Sequence, residues 1–396
     1  MQVAYVCADA GVPVFGMKGC SIHVQEIVRA FGKRGDKLTL LATRLGGKQP
    51  DDLDIANLDF PIPSGLSLVE RERAQVVAAE RIARAVVTSA KPFDLVYERY
   101  SLWSSASMRA ARQREIHSVL EVNSPLIEEQ QTHREISDLS LAEQIRHEAF
   151  SNAGTIITVS EEVAGYVRAH LNDSDSSKVH VVPNGVDVER FAPTRFSQTN
   201  SREFTVGFLG TLKPWHGLES LLSAFEIVYQ RFPSARLRII GDGPLREELQ
   251  DRIQNHRPQL QSQIDWVGAV SPLDVPCELS KLDVAVAPYL ESDEFYFSPL
   301  KVYEYMAAGR AVVASQIGQI STLIQDNING CLYTAGDFQR LAAILIDLAS
   351  DPNRRSRLGI AARECMAASH SWDSTLARIL SHVLLDQRIT KRPVPS

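Results

Sequence analysis

Short apolar runs alternate with longer amphipathic stretches along nearly the whole chain. In the first half the apolar runs are "QVAYVCA", "LTLLAT", "FDLVYER", "HSVLEVN", "GTIITVS" and "KVHVV". Between the first two runs, Val24, Ile27, Val28 and Phe31 recur at helical spacing and predict an amphipathic helix. Strands that alternate with helices in this way are typical of parallel sheets covered by helices, so we predict an α/β fold.

A second series of the same kind follows after residue 203. Its predicted strands are "FTVGFLG", "RLRIIGDG", "IDWVGAV", "DVAVAPY", "AVVAS" and "CLYT". The stretch 191–205 between the two series is polar and follows neither period, which places a linker there. We therefore predict two Rossmann-like, doubly wound domains, 1–195 and 196–375, facing each other across a cleft at the carboxyl ends of their sheets. The last helix, about 376–396, is expected to pack back on the first domain.

Composition narrows the class of protein. The 396 residues are 44% apolar and 23% charged, as in a globular protein of two or three domains. A net charge of −6 argues against a nucleic-acid partner, and the five scattered cysteines lack metal-ligand spacing. Because no apolar run could span a bilayer and no signal peptide opens the chain, we expect a cytoplasmic protein. Peripheral contact with the inner face of the membrane stays compatible with this expectation.

The stretch "FYFSPLKVYEYMAAGRAVVAS", residues 295–315, carries the most specific chemistry. Ser298 followed by Pro299 predicts a helix start, with Ser298 as N-cap and Pro299 as the first helical residue. The amides of Leu300 and Lys301 then lack intrahelical acceptors, and the positive end of the helix dipole attracts an anion. With the charge of Lys301 added, a diphosphate is a natural ligand of this helix end.

Glu304 lies one helical turn after Lys301. Its carboxylate can accept hydrogen bonds from two adjacent hydroxyls, and a ribose presents such a pair. The alternative is a surface ion pair between Lys301 and Glu304, worth a few tenths of a kcal/mol. Spacing alone favours neither interpretation.

Four motifs together resemble a known enzyme family. They are this stretch, "VVPNGVDVERF", "GFLGTLKPWHG" and "IIGDGP", and in this order they resemble the retaining GT-B glycosyltransferases of family 4. The resemblance covers nearly the whole chain. It implies a GT-B fold and metal-independent transfer of a sugar from a nucleotide diphosphate sugar, the co-substrate, with no further cofactor. The implied acceptor is a saccharide, a lipid-linked molecule or a small molecule.

The resemblance also implies which residues bind the donor. Glu304 matches the acid that holds the ribose, and Tyr296 stands where the family has its first acid, so Glu294 or the Tyr296 hydroxyl would substitute. In "GTLKPWHG" two customary cations are replaced by Thr211 and His216. The expected leaving-group residues are Lys213, Lys301 and His216, which would prefer its protonated form beside a diphosphate. The expected donor-binding residues are Gly19, Thr211, Gly268, Val270, Tyr296, Phe297, Ser298, Pro299, Leu300 and Glu304.

On the acceptor side the candidates are His23 and Asn123. His23 lies one turn into the first helix, and Asn123 stands where the family often has a histidine. An asparagine can hold a hydroxyl but cannot act as a base near neutral pH. The neighbouring Glu98 and Arg99 are expected to pair with each other.

Other functions compete with this one. A metal-dependent GT-A transferase would use a D-x-D motif, which occurs at 52–54 and at 173–175. Both lie in polar stretches and are expected to be solvated acids. A nucleotide-sugar epimerase or hydrolase of the same architecture and a non-catalytic nucleotide-binding protein are further alternatives. No residue is an obvious nucleophile, which suits a mechanism based on positioning and electrostatics.

Overall fold

A computed structural model of the chain describes residues 1–192, 203–291, 295–296 and 298–390. The expected donor residue Phe297, its neighbour Glu294 and most of the expected linker lie outside the described residues. The chain divides into two compact units, Met1–Asn184 with Trp372–Ser396, and Gly185–Ser371. The first division therefore lies at residue 184 rather than at 195. The segment after it belongs to the second unit because the Val186 amide donates to the His370 carbonyl over 2.8 Å.

The first unit is a parallel sheet covered by helices. Within the described residues its strands are β1 (Gln2–Cys7), β2 (Lys37–Ala42), β3 (Ala56–Asp59), β4 (Leu95–Arg99), β5 (His117–Val122), β6 (Thr155–Thr158) and β7 (Val179–Val181). Its helices are α1 (Gly19–Lys33), α2 (Leu68–Val87), α3 (Ala106–Gln113), α4 (Leu126–His133), α5 (Leu139–Asn152) and α6 (Glu161–Ala169), with a 3₁₀ helix at Asp173–Lys178. The strand order is β3-β2-β1-β4-β5-β6-β7, so the direction of winding reverses between β1 and β4.

The second unit repeats this architecture. Its described strands are β8 (Thr205–Leu209), β9 (Arg236–Ile240), β10 (Ile264–Gly268), β11 (Val284–Ala287), β12 (Ala311–Ser315) and β13 (Cys331–Tyr333). Its helices are α7 (Leu218–Arg231), α8 (Arg246–His256), α9 (Val275–Ser280), α10 (Leu300–Ala307), α11 (Ile320–Leu323), α12 (Phe338–Ser350) and α13 (Pro352–Ser369), with 3₁₀ helices at Pro214–His216 and Pro258–Gln263. The order is β10-β9-β8-β11-β12-β13, which reverses between β8 and β11.

The C-terminal helix α14 (Trp372–Thr390) belongs to the first unit. It lies against α1. Its predicted apolar face is buried and consists of Trp372, Leu376, Ile379, Leu380 and Val383. This apolar stripe anchors the helix to the first sheet although the second unit separates the two in sequence.

The sequence pattern and the cores agree. Every residue of β11 and β12 is buried, because helices cover both faces of a parallel sheet. The α/β prediction with two doubly wound units is thus confirmed. The short edge strand β3 was not predicted, since all four of its residues are exposed and carry no apolar alternation. No helix in the described part of the chain has the length and apolar character needed to cross a membrane.

Candidate functional site

The predicted anion site forms at the start of α10, in the chain segment that follows β11. The helix begins at Leu300, and Pro299 occupies the N-cap position with an extended ψ of 100°. The prediction that Ser298 caps the helix is wrong, because the extended Pro299 leaves Ser298 outside the first turn. The Ser298 hydroxyl instead lies 3.5 Å from that of Tyr303. The amides of Leu300 and Lys301 remain in the first turn, where N–H groups have no intrahelical acceptor.

Lys301 turns its side chain toward the end of β8. Its Nζ lies 4.3 Å from the ring centroid of Phe208 and 5.1 Å from that of Tyr289. This nitrogen is buried and has no hydrogen-bond partner among the described residues. Lys301 therefore does not form the alternative surface ion pair with Glu304.

The electrostatics of Lys301 follow from this burial. Loss of hydration lowers the pKa of Lys301 to about 7, and the charge of Glu304 opposes the shift only in part. Aromatic ring faces attract a cation by roughly 0.5–2 kcal/mol, which is less than the penalty of burying it unpaired. A neutral amine and an ammonium are thus both accessible near neutral pH.

Two glycines allow the loop after β8 to approach its neighbours. Gly210 has a φ of +141°, and a Cβ atom there would lie 2.6 Å from Lys301 Nζ. A Cβ atom at Gly217 would lie 1.7 Å from the Pro288 carbonyl oxygen. Only glycine fits both positions, and it lets the loops after β8 and β11 approach each other closely. They do so where the winding of the sheet reverses. Open α/β sheets bind their ligands at this place.

His216 lies in the same loop, and its imidazole is neutral. Its Nδ1 is 2.5 Å from the Thr211 carbonyl oxygen, which can only accept, so Nδ1 carries the hydrogen. Burial, followed by the positive charges of Lys301 and Lys213, lowers the pKa of His216 to about 3. The expectation of a protonated His216 applies to a site with a bound diphosphate and stays a prediction, and without that anion the imidazole is neutral. Its ring packs against Tyr289 at 5.3 Å between centroids.

The other expected cation, Lys213, is placed differently. Its Nζ lies 5.5 Å from the ring centroid of Trp215, a side chain that is 37% exposed. Lys213 is thus half-buried beside this exposed ring. Lys301 is the more deeply buried of the two lysines.

The end of β10 provides a second part of the same edge. Gly268 has a φ of +79°, and its carbonyl accepts a 2.8 Å hydrogen bond from the Gly241 amide. Two strand spacings separate β10 from β8, so Gly268 lies about 10 Å from Gly210, comparable to the length of a nucleoside. Val270 packs its side chain against the core and leaves only its backbone for a ligand.

The remaining donor candidates differ in exposure. Glu304 and Tyr296 are half-buried, Thr211 is exposed, and Ser298 is buried. Gly19 is exposed at the first position of α1 and belongs to the first unit. The structure thus brings the predicted diphosphate residues together at one edge of the second sheet.

The first unit holds a buried charge cluster at the carboxyl ends of β4 and β5. Glu121 Oε1 lies 3.0 Å from His23 Nε2, and Arg99 Nη1 lies 3.4 Å from His23 Nδ1. Burial alone would raise the pKa of Glu121, but the charges of His23 and Arg99 outweigh it and hold that pKa below its usual range. The His23 side chain is only 3% exposed, and its ring contacts Trp372. His23 is therefore placed as a core residue.

The expected pairing of Glu98 with Arg99 is wrong. Adjacent strand residues point to opposite faces, so Glu98 accepts a 2.5 Å hydrogen bond from the Ser104 hydroxyl instead. Burial raises the pKa of Glu98 to about 7. Arg99 and Glu121 are register partners on neighbouring strands. Strict alternation along both strands was the sequence signal that could have found this pair.

Asn123 follows β5 directly. The residue is half-buried, and its Nδ2 is buried without a hydrogen-bond partner among the described residues. An amide donor without a protein partner is available to a ligand hydroxyl. Among the acceptor-side candidates, Asn123 is thus the one with an unused polar atom at a strand end.

Both D-x-D stretches lie beside basic residues. Asp52 is 61% exposed and forms a 2.5 Å ion pair with Arg29. Asp175 lies 3.9 Å from Lys178 within the 3₁₀ helix of the first unit. Across the described ranges, no three His, Cys, Asp or Glu side chains form a group that could hold a metal ion.

Family models match a segment of each of the two units. Residues 17–190 match the family model described as "Glycosyltransferase Family 4". Residues 203–351 match the model described as "Glycosyl transferases group 1". The two matches together cover β2 to β7 of the first sheet, all described strands of the second, and the edge that carries Gly210 and Lys301.

Curated relatives are enzymes of sugar transfer. The phosphatidyl-myo-inositol mannosyltransferase of Mycolicibacterium smegmatis is 30% identical over 201 residues, which are 50% of this chain and 50% of the relative. The matched segment thus spans half the length of that relative. The D-inositol 3-phosphate glycosyltransferase of Xylanimonas cellulosilytica is 25% identical over 95% of this chain and 93% of its own.

Solved structures share the fold. Anabaena Alr3699/HepE in complex with UDP superposes with a TM-score of 0.72 at 18% identity, covering 96% of this chain and 99% of that one. Sucrose-phosphate synthase from Thermosynechococcus elongatus gives 0.73 at 18% identity, covering 99% of this chain and 100% of that one. At these identities the likeness shows the fold alone.

Proposed function

Because the chain belongs to the family 4 glycosyltransferases of the GT-B fold, we propose that it moves a sugar from a nucleoside diphosphate sugar to an acceptor hydroxyl. The proposed reaction retains the configuration at the anomeric carbon and needs no metal ion. The second unit binds the donor, and the first unit binds the acceptor.

One observation carries the donor proposal. The first-turn amides of α10 and the buried Nζ of Lys301 converge beside Gly210, where the winding of the second sheet reverses. Backbone N–H groups, the helix dipole and a cation together suit the two phosphates of a diphosphate. Gly268 lies toward the side where the nucleobase would bind, and Glu304 holds the ribose hydroxyls from the next turn of α10.

The chemistry follows from stabilising the leaving group. The bond between the anomeric carbon and the diphosphate oxygen breaks, and a bond to the acceptor oxygen forms. The acceptor proton passes to the departing diphosphate, so no protein base is needed. Lys301, the α10 amides and Lys213 stabilise the negative charge that develops on the diphosphate. His216, as a neutral imidazole, orients the loop by donating from Nδ1 to the Thr211 carbonyl.

The acceptor is proposed to be a polyol or saccharide hydroxyl, free or lipid-linked. Two curated relatives are named for phosphatidyl-myo-inositol and for D-inositol 3-phosphate. Asn123 is the proposed acceptor contact, because its buried Nδ2 is unused among the described residues. As an amide it binds the hydroxyl and takes no part in proton transfer.

A thermal-shift screen tests the donor proposal. UDP-, GDP-, ADP- and dTDP-sugars are added to the protein. A donor that binds only the folded state stabilises it by about 2.7 kcal/mol at one hundred times its Kd, and this raises the Tm. We expect one nucleotide class to raise the Tm and Glu304→Gln to cut the rise to about half or less at the same donor concentration. Glu278→Gln serves as the matched control and keeps the rise. It removes an acid on α9 that pairs with Arg238 of β9. Absence of any shift with all four classes would contradict the proposal.

A transfer assay tests the reaction. The donor found in the screen is incubated with myo-inositol, inositol phosphate, phosphatidylinositol vesicles and simple saccharides, with and without EDTA. The anomeric proton coupling of the product by NMR reports retention or inversion. Retained configuration and equal rates in EDTA are expected. Rapid release of free sugar without acceptor transfer would instead indicate a hydrolase, and binding without turnover would indicate a nucleotide-binding protein.

A further inference from the structure

Lys301 is an unusual group for a phosphate site. A lysine that binds an anion is ordinarily hydrated or paired in the empty protein, but its Nζ is buried and has no hydrogen-bond partner in the described structure. Phe208 and Tyr289 present their rings to it. A full positive charge in such surroundings is unfavourable until an anion arrives.

We propose that Lys301 is a neutral amine in the empty donor site and takes up one proton from solvent as the diphosphate binds, so that donor binding is linked to proton uptake. This inference rests on the proposed function, because it requires a diphosphate at the start of α10. The amine accepts the proton to become an ammonium, which then faces the diphosphate charge. Release of the nucleoside diphosphate returns the proton to solvent.

The surrounding groups support this assignment. Among the described residues, the titratable side chains that act on or contact Lys301 are Glu304 on α10, His216 in the loop after β8 and Tyr289 after β11. Tyr305 lies beside Glu304 and Tyr289, and Lys213 acts on His216. Burial keeps both tyrosines in their neutral form by raising the pKa of each. Glu304 is the acid that acts on Lys301, and its charge does not restore the ordinary pKa of the amine.

His216 is not the group that takes up the proton near neutral pH. Its pKa of about 3 would have to rise by several units before it bound a proton at pH 8. Lys301, with a pKa of about 7, needs only a modest rise. Lys213 is half-buried, and its Nζ lies 5.5 Å from the ring centroid of the exposed Trp215 rather than among the rings around Lys301.

The sign of the pH dependence follows. Below pH 6 the amine already carries its proton, so donor binding takes up about a tenth of a proton or less. At pH 8 the empty site is mostly neutral, and binding takes up close to one proton. The dissociation constant therefore stays nearly constant below pH 6 and rises about 20-fold between pH 6.5 and pH 8.5.

Isothermal titration calorimetry tests the proposal with UDP-glucose and GDP-mannose as probes. These donors have no phosphate group that titrates between pH 6 and 9, so any proton uptake belongs to the protein. The titration is repeated at pH 8 in Tris and in HEPES, whose ionisation enthalpies differ. The slope of the observed binding enthalpy against buffer enthalpy gives the number of protons taken up. We expect a slope near one at pH 8 and near zero at pH 5.5.

Three variants assign the proton. Lys301→Arg carries a permanent charge, so it should bind donor with zero slope and a pH-independent affinity. Lys301→Met should bind roughly 10- to 100-fold more weakly, also with zero slope. Lys281→Met, which removes an exposed lysine paired with Glu278, is the matched control and should keep the slope near one. Circular dichroism and Tm values establish that each variant is folded.

The outcomes separate the two proposals. If neither probe binds at any pH, the proposed function fails. If a probe binds to the wild type with zero slope at pH 8, or if the slope survives in Lys301→Met, the proton-uptake proposal is wrong while donor binding stands. The pH dependence of the wild-type affinity alone decides the matter even if a variant does not fold.

Discussion

Replacing Lys301 by methionine is expected to stabilise the empty protein. Burial lowers the pKa of this lysine from 10.5 to about 7. Each pKa unit corresponds to about 1.4 kcal/mol, so holding the protonated lysine in the folded state is unfavourable by at most about 5 kcal/mol. Attraction by the two rings is lost in the variant and reduces the expected gain to roughly 2–4 kcal/mol at pH 6.5. Methionine has a similar length and fills the same space without a charge.

The gain in stability of Lys301→Met over the wild type depends on pH. The folded-state pKa lies below the unfolded-state pKa, so the unfolded chain binds more protons between about pH 7 and pH 10.5. The contribution of Lys301 therefore makes the free energy of unfolding of the wild type rise with pH through this window. Methionine does not titrate, so the advantage of Lys301→Met is largest below pH 7 and shrinks toward pH 10.

Urea unfolding followed by circular dichroism at pH 6.5, 8 and 9.5 measures this difference. A gain of 2–4 kcal/mol corresponds to a rise of roughly 5–10 °C in Tm for a unit of this size. Lys213→Met is the control, because its ammonium lies over the exposed Trp215. It should change stability by less than about 0.5 kcal/mol at every pH. If Lys301→Met is less stable than the wild type at pH 6.5, or if the difference does not vary with pH, the description of Lys301 as an unpaired buried amine is wrong.

Three further predictions concern the carboxylates. Glu304→Gln should weaken donor binding about 10- to 100-fold in calorimetry, since an amide replaces the charge that accepts the ribose hydroxyls; unchanged affinity would remove that role. Glu121→Gln should destabilise the protein by about 3–5 kcal/mol in urea, because it leaves His23 and Arg99 buried without their anion; a loss below 1 kcal/mol would show that the cluster is hydrated. Glu98→Gln should instead become increasingly stabilising relative to the wild type as pH rises from 4.5 to about 7 and level off above that, because the raised pKa of Glu98 makes its ionisation in the folded state unfavourable; a pH-independent difference would contradict the assignment.

The candidate site shows where the sequence pattern was sufficient. Lys301 and Glu304 were found because a helix start, a lysine and an acid fall at fixed spacings, and these spacings survive in α10. The starting residue of that helix was wrong by one position. Pro299 adopts an extended ψ that local propensity does not distinguish from the first helical position.

The electrostatics of the site were not readable from the sequence. The low pKa of His216 was not predicted, because burial and the neighbouring Lys301 together lower it. Neither effect belongs to residue 216 or to its sequence neighbours, since Lys301 comes from another strand–helix unit. A pKa depends on everything within a few ångströms, whatever its distance along the chain.

The sequence by itself determined the α/β class, nearly all of the strands and the family, because hydrophobic periodicity and short motifs are local properties. The tertiary structure decided which side chains meet. It joined Arg99 to Glu121 rather than to Glu98, returned α14 to the first unit, and placed Nζ of Lys301 between two rings contributed by β8 and by the segment after β11. Strand order and burial determine these contacts, and both arise from the packing of the whole chain, which no single stretch of sequence contains.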